Sequence, residues 1–368
     1  MTTPSRHKNT RLIVAFAGAD ENEAERGNVT AVTTPAEITL RPVGATGMSV
    51  APLCLGAMNF GDPTSPEDSA RIVDVALDRG INMIDVADVY AGGESERILG
   101  AALAANGRRD EIVLATKFGI PTGPGEPQQW HRREHIVKSC EQSLASLQTD
   151  HIDLYQVHRY SPFVEPEETL TALDELVQSG KVRFIGCSTF PVWALMEAVS
   201  ISNREGKAAY ISEQPPYNLL DRRIENELLP MAKRHNIAIF PWSPLAAGVL
   251  ANRYADGVPA GSRGDRRPHI LDRLTPRALS VGQAMAYLGS ERGLTATQMA
   301  LLWCKDQPGV TAPIIGPRTV EQLEDALVIL NQSLDAETQA ACDELVGPGQ
   351  AAVDFLSTSG WSKPLLAV

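Results

Sequence analysis

Short apolar runs alternate with amphipathic helical stretches along most of this 368-residue chain. The apolar runs are typical of buried strands, and the connections between them have the periodicity of helices. Strand–helix alternation of this kind favours a parallel sheet covered by helices, and eight strands are the number that closes a (β/α)8 barrel. The sequence therefore predicts an α/β fold of the TIM-barrel type, with strands near 52–55, 82–86, 111–116, 152–157, 182–186, 209–213, 237–241 and 312–315.

Extra segments are expected before the barrel and between its last two strands. The stretch ITLRPVGATGMSVAPLCLG, which begins at Ile38, has short apolar runs around a Gly44–Gly47 turn and predicts an N-terminal β-hairpin. Residues 242–311 are too long for a simple loop, and polar segments of such length are usually functional lids or mobile loops. This insertion contains a Gly-, Arg- and Pro-rich segment and two helical patterns, at 256–276, 277–292 and 296–306.

The chain divides into one large domain and two flanking segments. Its beginning is polar and aperiodic apart from a short apolar run, which is typical of a leader without fixed structure. Helices near 319–331 and 335–345 follow the eighth strand, so a C-terminal helix completes the domain. The expected division is a disordered leader at 1–36, a barrel at 37–347 and a C-terminal tail at 348–368.

Three consecutive strands end on or near ionisable residues. The run INMIDV contains Asp85, and Tyr90 follows it in a Gly-rich turn. Lys117 closes the run EIVLATK, and His158 closes IDLYQVH. The carboxyl ends of the strands of a parallel barrel share one face, where such folds hold their active sites. We therefore expect these four side chains to converge.

Each of the four residues also has an ordinary structural explanation when it is taken alone. Asp85 could cap its loop, and Lys117 could be a solvated strand end. Tyr90 could be a packing aromatic, and His158 could be a core histidine with its hydrogen bonds satisfied. The functional interpretation depends on their combination at successive strand ends.

The segments around these residues resemble those of a known family. IDVADVYAGGESERILGAAL, ATKFG and TDHIDLYQVHR are similar to the signatures of the aldo-keto reductase superfamily and occur in the same order. The resemblance runs from about Leu40 to Gly347 and points to the branch with bacterial reductases and potassium-channel β subunits. It implies a hairpin that covers the barrel floor, and an enzyme that reduces aldehydes or ketones to alcohols with a nicotinamide cofactor.

The resemblance also implies a role for each of the four residues. Carbonyl reduction needs a hydride at carbon, which the cofactor gives, and a proton at oxygen, which the protein must supply. Tyr90 would be the general acid, and Lys117 would be the nearby ammonium that stabilises a phenolate. Asp85 would hold Lys117 in place, and His158 would orient the carbonyl through a hydrogen bond.

A strand that runs through glycine into a helix start favours phosphate binding near the C-terminus. No Rossmann-type G-x-G-x-x-G motif within a βαβ unit is present, so a dinucleotide needs another mode of binding. In IIGPRTVEQLEDAL, backbone amides at the helix start suit a phosphate, and Arg318 suits a 2′-phosphate unless it is an ordinary solvated cation. This segment resembles the family's adenosine-phosphate motif and so implicates Gly316, Gln322 and Asp325 as well. NADP(H) is therefore expected rather than NAD(H).

The seventh predicted strand ends in FPWSPL, which resembles the family segment whose aromatic ring stacks on the nicotinamide. Trp242 would be that ring, because a flat aromatic face can hold one side of the nicotinamide, although it could also be a core residue. The resemblance implies further cofactor contacts from Ser188 and Gln214 at the carboxamide, and from Ser243, Leu245, Arg253 and Arg263 towards the pyrophosphate.

Two positions depart from the family pattern. Thr189 follows Ser188 where the family commonly has asparagine, and Ala326 stands where many relatives have asparagine near the adenine. The first departure changes one carboxamide contact, for which Thr189 stays a possible partner. The two departures could lower the cofactor affinity, but neither removes the chemistry.

Composition restricts the class of partner. A formal net charge of −12 argues against an extended nucleic-acid surface. The five cysteines are scattered and lack C-x-x-C spacing, which indicates neither a disulfide framework nor a metal site and favours a reduced, cytoplasmic protein. No apolar run approaches the roughly 20 residues that span a bilayer. The expected partner is a small-molecule carbonyl substrate, and the oligomeric state stays open.

Two other functions stay open. The same branch contains cofactor-sensing regulatory subunits whose turnover is incidental, although the four converging residues favour catalysis. Similar reductases act on nucleotide-linked keto-sugars, and a loop with Arg263, Arg266 and Arg267 could meet a substrate diphosphate or cover the cofactor. Trp130 and Tyr160 could line an apolar substrate pocket or pack in the core.

Overall fold

A sheet of eight parallel strands forms the centre of the protein in the computed structural model, which describes residues 38–353 except 123, 124 and 126. Neighbouring strands in the sheet follow one another along the chain, and the last strand pairs with the first. The strands are β3 (Cys54–Gly56), β4 (Met83–Asp85), β5 (Val113–Phe118), β6 (Ile152–Val157), β7 (Val182–Ser188), β8 (Tyr210–Gln214), β9 (Ala238–Ile239) and β10 (Ile314–Ile315).

Backbone hydrogen bonds close the sheet between β9 and β10. The amide of Thr311 donates to the carbonyl of Ile239 at 2.9 Å, and the amide of Ile314 donates to that of Pro241 at 2.8 Å. β9 is shorter than the predicted 237–241, because Pro241 has no N–H to donate to a ladder. The prediction of a (β/α)8 barrel is confirmed.

Helices surround the barrel and fill the connections between its strands. Ser65 begins α1 by accepting the amide of Asp68, with Pro66 at the first helical position, as the sequence pattern indicates. The helices of these connections are α1 (Pro66–Asp78), α2 (Glu94–Asn106), α3 (Arg133–Leu147), α4 (Pro166–Gln178), α5 (Val192–Glu205) and α6 (Leu228–His235). Gly100 lets α2 approach α3 closely, since a Cβ atom there would lie 2.4 Å from the carbonyl oxygen of Ser146.

A short hairpin covers the amino-terminal end of the barrel. Its strands, β1 (Arg41–Pro42) and β2 (Ser49–Val50), pair antiparallel. Val43 and Val50 are fully buried and pack in one cluster with barrel residues such as Met83 and Phe240. The guanidinium of Arg41 donates to the carbonyl of Lys305 at 2.7 Å and fixes the hairpin. The expected position of the hairpin at the floor of the barrel is thus observed.

The insertion between β9 and β10 is folded. The helix α7 (Arg263–Arg266) and a 3-10 segment at Pro268–Arg273 organise the polar loop, and two longer helices follow it. The remaining helices are α8 (Pro276–Ser290), α9 (Ala296–Asp306), α10 (Val320–Leu327) and α11 (Ala336–Leu345). α10 ends earlier than predicted, because hydrogen bonds of the turn type replace helical ones from Leu327 onwards.

The predicted flanking segments lie largely beyond the described residues. The proposed leader at 1–36 falls outside them, as do residues 354–368 of the proposed tail. Ala351 forms an isolated bridge with Asp221, so the first part of the tail lies against the loop after β8. In the part of the chain that the structure describes, no helix is long and apolar enough to cross a membrane.

Candidate active site

A cavity of about 650 Å³ opens at the carboxyl ends of the barrel strands. This end of a TIM barrel is where active sites form. Loops after the strands and the start of α10 make its walls. Most of the residues that the sequence predicts for the site line it, namely Asp85, Tyr90, His158, Gln214, Trp242, Ser243, Leu245, Arg253, Arg263, Gly316, Arg318, Gln322 and Asp325.

Lys117 is fully buried beneath the cavity and forms an ion pair. Its Nζ atom lies 2.5 Å from Oδ1 of Asp85 and donates to the carbonyl of Val86 at 2.8 Å. Burial alone lowers the pKa of Lys117, but the charges of Asp85 and Tyr90 outweigh that effect and hold the pKa above its ordinary value. Lys117 therefore remains an ammonium throughout the physiological range of pH.

The second oxygen of Asp85 accepts hydrogen bonds from two glutamines. The Nε2 atoms of Gln156 and Gln214 lie 3.2 Å and 2.9 Å from Oδ2 of Asp85. Gln156 is fully buried and belongs to β6, so the central strands hold the carboxylate directly. These two donors and the ion pair fix the orientation of the carboxylate towards Lys117. Sequence reasoning missed Gln156, although its place two residues before His158 puts both on the inner face of the strand.

Tyr90 extends from a tight 3-10 turn after β4. The next residue, Ala91, has a φ of +47°, and the two glycines after it also have positive φ values, which residues with larger side chains adopt less readily. The hydroxyl of Tyr90 lies 3.4 Å from Nζ of Lys117. Its ring meets that of His158 edge to face, with centroids 5.7 Å apart and an interplanar angle of 83°. The ammonium, the phenol and the imidazole thus share one corner of the cavity.

His158 is neutral and directed into the same corner. Its Nδ1 atom is buried and has no hydrogen-bond partner among the described residues. Desolvation lowers its pKa far below the ordinary value, and the positive charges of Arg159 and Lys117 act in the same direction. A neutral imidazole has one N–H to donate, and a carbonyl oxygen is a suitable acceptor.

Thr189 links the aromatic wall of the cavity to a half-buried cation, Arg159. The backbone of Thr189 is left-handed, with a φ of +55°. Its Oγ1 atom accepts from Nε1 of Trp242 at 3.2 Å and from Nη1 of Arg159 at 3.1 Å. The threonine that replaces the family asparagine therefore positions the ring that is expected to stack on the nicotinamide.

The start of α10 forms the opposite part of the cavity. Oγ1 of Thr319 caps the helix by accepting the amide of Gln322 at 3.3 Å, and the side chain of Gln322 accepts the amide of Arg318 at 2.9 Å. Desolvation lowers the pKa of Arg318, and the like charges of Arg253 and Arg266 lower it further. These cations therefore lie near one another beside a helix start, a combination that suits phosphate.

The arginine-rich loop reaches across the cavity mouth. Arg263 extends to within 3.8 Å of the sulfur of Met58, and Arg266 forms an ion pair with Asp62 at 3.2 Å. Arg318 donates to the carbonyl of Gly261 at 3.2 Å. The loop is thus held on both sides of the cavity and covers part of it.

Several expected residues lie elsewhere, and other residues take part that the sequence did not indicate. Ser188 is fully buried and does not line the cavity, because its hydroxyl donates to the carbonyl of Gln214 at 2.9 Å. Trp130 packs on His135, and Tyr160 packs between Phe190 and Trp193, so neither lines the cavity. Arg159 and Asn59 also line it. Arg159 ends the segment TDHIDLYQVHR, but the sequence patterns predicted no role for Arg159 or for Asn59.

The residues present fit a dinucleotide cofactor. The cavity has arginine side chains beside the start of α10, an aromatic ring at Trp242 and the imidazole of His158 in its wall. Asn59 donates to the carbonyl of Gly316 at 2.8 Å and so supports the turn that precedes the helix. No cluster of side chains suited to a metal ion occurs within the described ranges.

The closed barrel, the cationic cleft and the buried Lys–Asp pair place this protein in the class of TIM-barrel proteins that have a ligand site at the strand ends. Comparison with known sequences then identifies the particular group. A model of the aldo/keto reductase family matches residues 52–346, and the chain belongs to that family.

Several characterised and uncharacterised relatives share most of the chain. An uncharacterised oxidoreductase of Bacillus subtilis is 37% identical over 318 residues, which cover 83% of this chain and 96% of that protein. A probable voltage-gated potassium channel subunit beta of Oryza sativa is 32% identical over 78% of this chain and 90% of its own length. An L-glyceraldehyde 3-phosphate reductase of Escherichia coli is 30% identical over 85% and 94%, respectively. The family and these relatives support an oxidoreductase and, in general terms, carbonyl reduction.

Proposed function

We propose that the protein is an NADPH-dependent reductase that converts aldehyde or ketone carbonyls to alcohols, with Tyr90 as the general acid. One observation carries this proposal. The phenol of Tyr90 faces the cavity and lies 3.4 Å from the ammonium of Lys117, which is itself held by the carboxylate of Asp85. A hydroxyl beside a permanent, water-excluded cation is suited to release a proton to a substrate.

The four side chains act on one carbonyl oxygen. The hydroxyl of Tyr90 donates its proton to that oxygen while negative charge develops there, and Lys117 stabilises the phenolate that remains. The imidazole of His158 donates a hydrogen bond that orients the carbonyl. The nicotinamide, when bound, supplies the hydride for the carbonyl carbon. Asp85 keeps Lys117 charged and in position.

The chemistry of the cavity walls supports a cofactor site there. Trp242 would hold one face of the nicotinamide, and Gln214 would lie at its carboxamide. Arg318 would neutralise the 2′-phosphate, with Gly316, Gln322 and Asp325 at the same end. Ser243, Leu245, Arg253 and Arg263 would lie along the pyrophosphate. Ser188 would not contact the cofactor directly. It would support the site by fixing the backbone of β8 through its hydrogen bond to the carbonyl of Gln214.

A regulatory role is the second candidate, because two plant relatives are named as probable potassium channel β subunits. Such a protein would bind the cofactor at the same site. The complete set of Asp85, Tyr90, Lys117 and His158 favours turnover as its main activity. A nucleotide-linked keto-sugar as substrate is a variant of the reductase proposal, in which Arg266 and Arg267 would bind a diphosphate.

The test is a titration of protein fluorescence with NADPH and NADH, followed by the loss of reduced-nicotinamide absorbance as aldehydes, ketones and nucleotide-linked keto-sugars are added. We expect tighter binding of NADPH and turnover of at least one carbonyl class. Binding without turnover over the whole panel would favour the cofactor-sensing subunit. Absence of binding would contradict the cofactor assignment.

A further inference from the structure

Arg159 stands at the reacting end of the cavity and has no part in the mechanism above. It follows His158 directly and lines the cavity wall. Its Nη1 atom donates to the carbonyl of His158 at 2.7 Å, besides the bond to Thr189 already described. The centre of its guanidinium lies 5.7 Å from the ring centroid of Trp242. Arg159 is therefore a cation held in a fixed place beside the predicted general acid and the aromatic wall.

The charge of Arg159 is separate from the arginines at the phosphate end. The like charges that act on Arg318 come from Arg253 and Arg266. The charges that act on Arg159 come from Tyr90 and Glu213 instead. The expected cofactor phosphates thus have their own cations at α10, whereas Arg159 stands beside His158 and near Tyr90, the two residues expected at the substrate carbonyl.

The surroundings of Arg159 favour an incoming anion. Desolvation lowers the pKa of Arg159 to about 10, although Tyr90 and Glu213 act to raise it, so the side chain is charged at neutral pH. A cation in a poorly hydrated wall interacts strongly with an anion that enters beside it. The planar guanidinium can hold a carboxylate or a phosphate through paired hydrogen bonds. The cavity wall also contains the apolar residues Met58, Val89 and Ile120, which could contact the remaining carbon atoms of a small substrate.

We propose that Arg159 is a specificity-determining residue that binds an anionic group, a carboxylate or a phosphate, on the carbonyl substrate. This inference rests on the proposed reductase function and narrows its substrate class to small anionic aldehydes and ketones. Thr189 supports the site by holding the guanidinium and Trp242 through one hydroxyl oxygen.

The experiment compares kcat/KM for matched substrates that differ in charge. One pair is succinic semialdehyde and its neutral amide, and the other is glyceraldehyde 3-phosphate and glyceraldehyde. Each pair is measured with the wild-type protein, with Arg159→Met and Arg159→Lys, and with the control Arg204→Met, which removes a solvent-exposed arginine of α5. The two pairs distinguish a carboxylate from a phosphate as the preferred anion.

We expect the wild-type protein to favour the anionic member of at least one pair by 10-fold or more. Arg159→Met should abolish this preference mainly through a higher KM for the anionic member, whose kcat/KM should fall at least 10-fold more than that of the neutral member, and Arg159→Lys should restore part of the preference. Equal losses for both members of a pair would show that Arg159 only holds Trp242 or the cofactor, and would overturn the proposal. Absence of any preference in the wild-type protein would overturn it too.

A binding measurement separates this inference from the reductase proposal. Succinate and inorganic phosphate are titrated against the free protein, with tryptophan fluorescence as the readout, in the wild type, Arg159→Met and Arg318→Ala. A quench that Arg159→Met abolishes and Arg318→Ala preserves would support the anion site even if no carbonyl were reduced. A quench that disappears only in Arg318→Ala would assign the anion to the phosphate end and contradict the proposal.

Discussion

The ammonium of Lys117 and the carboxylate of Asp85 form an ion pair with a 2.5 Å contact between Nζ and Oδ1, and both side chains are closed off from solvent. Breaking such a pair leaves an uncompensated buried charge. We expect Asp85→Asn to lower the free energy of unfolding by about 3–5 kcal/mol. The double variant Asp85→Asn with Lys117→Met should recover part of that loss, because it removes the orphaned cation. Urea denaturation of the two single variants and the double variant measures the coupling.

The same ion pair predicts how the stability of the folded protein changes at alkaline pH. Since the pKa of Lys117 is raised in the folded protein, its stabilising contribution is complete below the ordinary lysine pKa of about 10.4. That contribution is lost only as the pH rises through the folded pKa. The difference in stability between the wild type and Lys117→Met should therefore stay constant from about pH 6 to about pH 8, which lies below the lysine pKa. A difference that shrank over this range would contradict a charged Lys117.

Tyr90→Phe removes the hydroxyl and leaves the ring that packs edge to face on His158. We expect carbonyl reduction to fall by roughly 100-fold to 10,000-fold, which is the usual scale of acid catalysis. Cofactor affinity should stay unchanged, because the ring and the ion pair beneath it remain. Steady-state kinetics and NADPH titration check both parts, and full activity in this variant would rule out Tyr90 as the proton donor.

Arg318→Ala removes a cation from the start of α10, where the 2′-phosphate is expected. A hydrogen bond to a charged group contributes about 1.5–3 kcal/mol, so NADPH affinity should fall roughly 10-fold to 100-fold. NADH affinity should change much less, since NADH lacks that phosphate. Calorimetric titration with both cofactors provides the comparison, and equal losses would place Arg318 away from the 2′-phosphate.

Gln156→Leu tests a positioning residue that lies behind the predicted site. Its amide lies 3.2 Å from Oδ2 of Asp85, so its removal takes one donor from a buried carboxylate. We expect kcat to fall roughly 10-fold with little change in KM, since one such bond to a charged group is worth about 1.5 kcal/mol or more. The alkaline limb of the pH–rate profile should also move. Gln283→Leu, at an exposed position of α8, is the control and should change neither kcat nor the pH–rate profile.

Glu213 predicts a pH dependence of stability. Burial raises the pKa of this fully buried carboxyl to about 7, although a thiol and several backbone amides donate to it. Because the folded pKa lies above the ordinary value of about 4.3, the group contributes most stability below that value and the contribution is lost as the pH rises through about 7. Between acidic and slightly alkaline pH, the melting temperature of Glu213→Gln should decrease less than that of the wild type. The melting temperature of the control Glu344→Gln, at an exposed position, should follow the wild type.

Sequence patterns predicted the barrel and the convergence of its reactive strand ends. Eight apolar runs with helical connections leave few alternatives, and Asp85 and His158 stand at or just after the ends of β4 and β6. Lys117 differs slightly from the prediction, because β5 extends to Phe118 and places the lysine inside the strand rather than at its end. The backbone of Lys117 pairs with that of Gln156, which explains the longer strand.

The supporting contacts of the site could not be predicted in the same way. Gln156 and Gln214 hold Asp85 from strands that follow it by 71 and 129 positions, and no local pattern signals such a pair. Ser188 was expected at the cofactor, but its hydroxyl turns inward to the carbonyl of Gln214. Which way a side chain at a strand end turns depends on the neighbouring strand.

The sequence by itself determined the barrel, its hairpin and the set of ionisable residues on one face, because periodicity and strand order are local properties of the chain. Only the tertiary structure decided the distances and the burial at which these charges meet. The contact between Lys117 and Asp85, the neutral state of His158 and the fixed position of Arg159 all depend on distances across the barrel and on the exclusion of water. Both arise only when the sheet closes, since burial and strand register set the strength of each electrostatic contact.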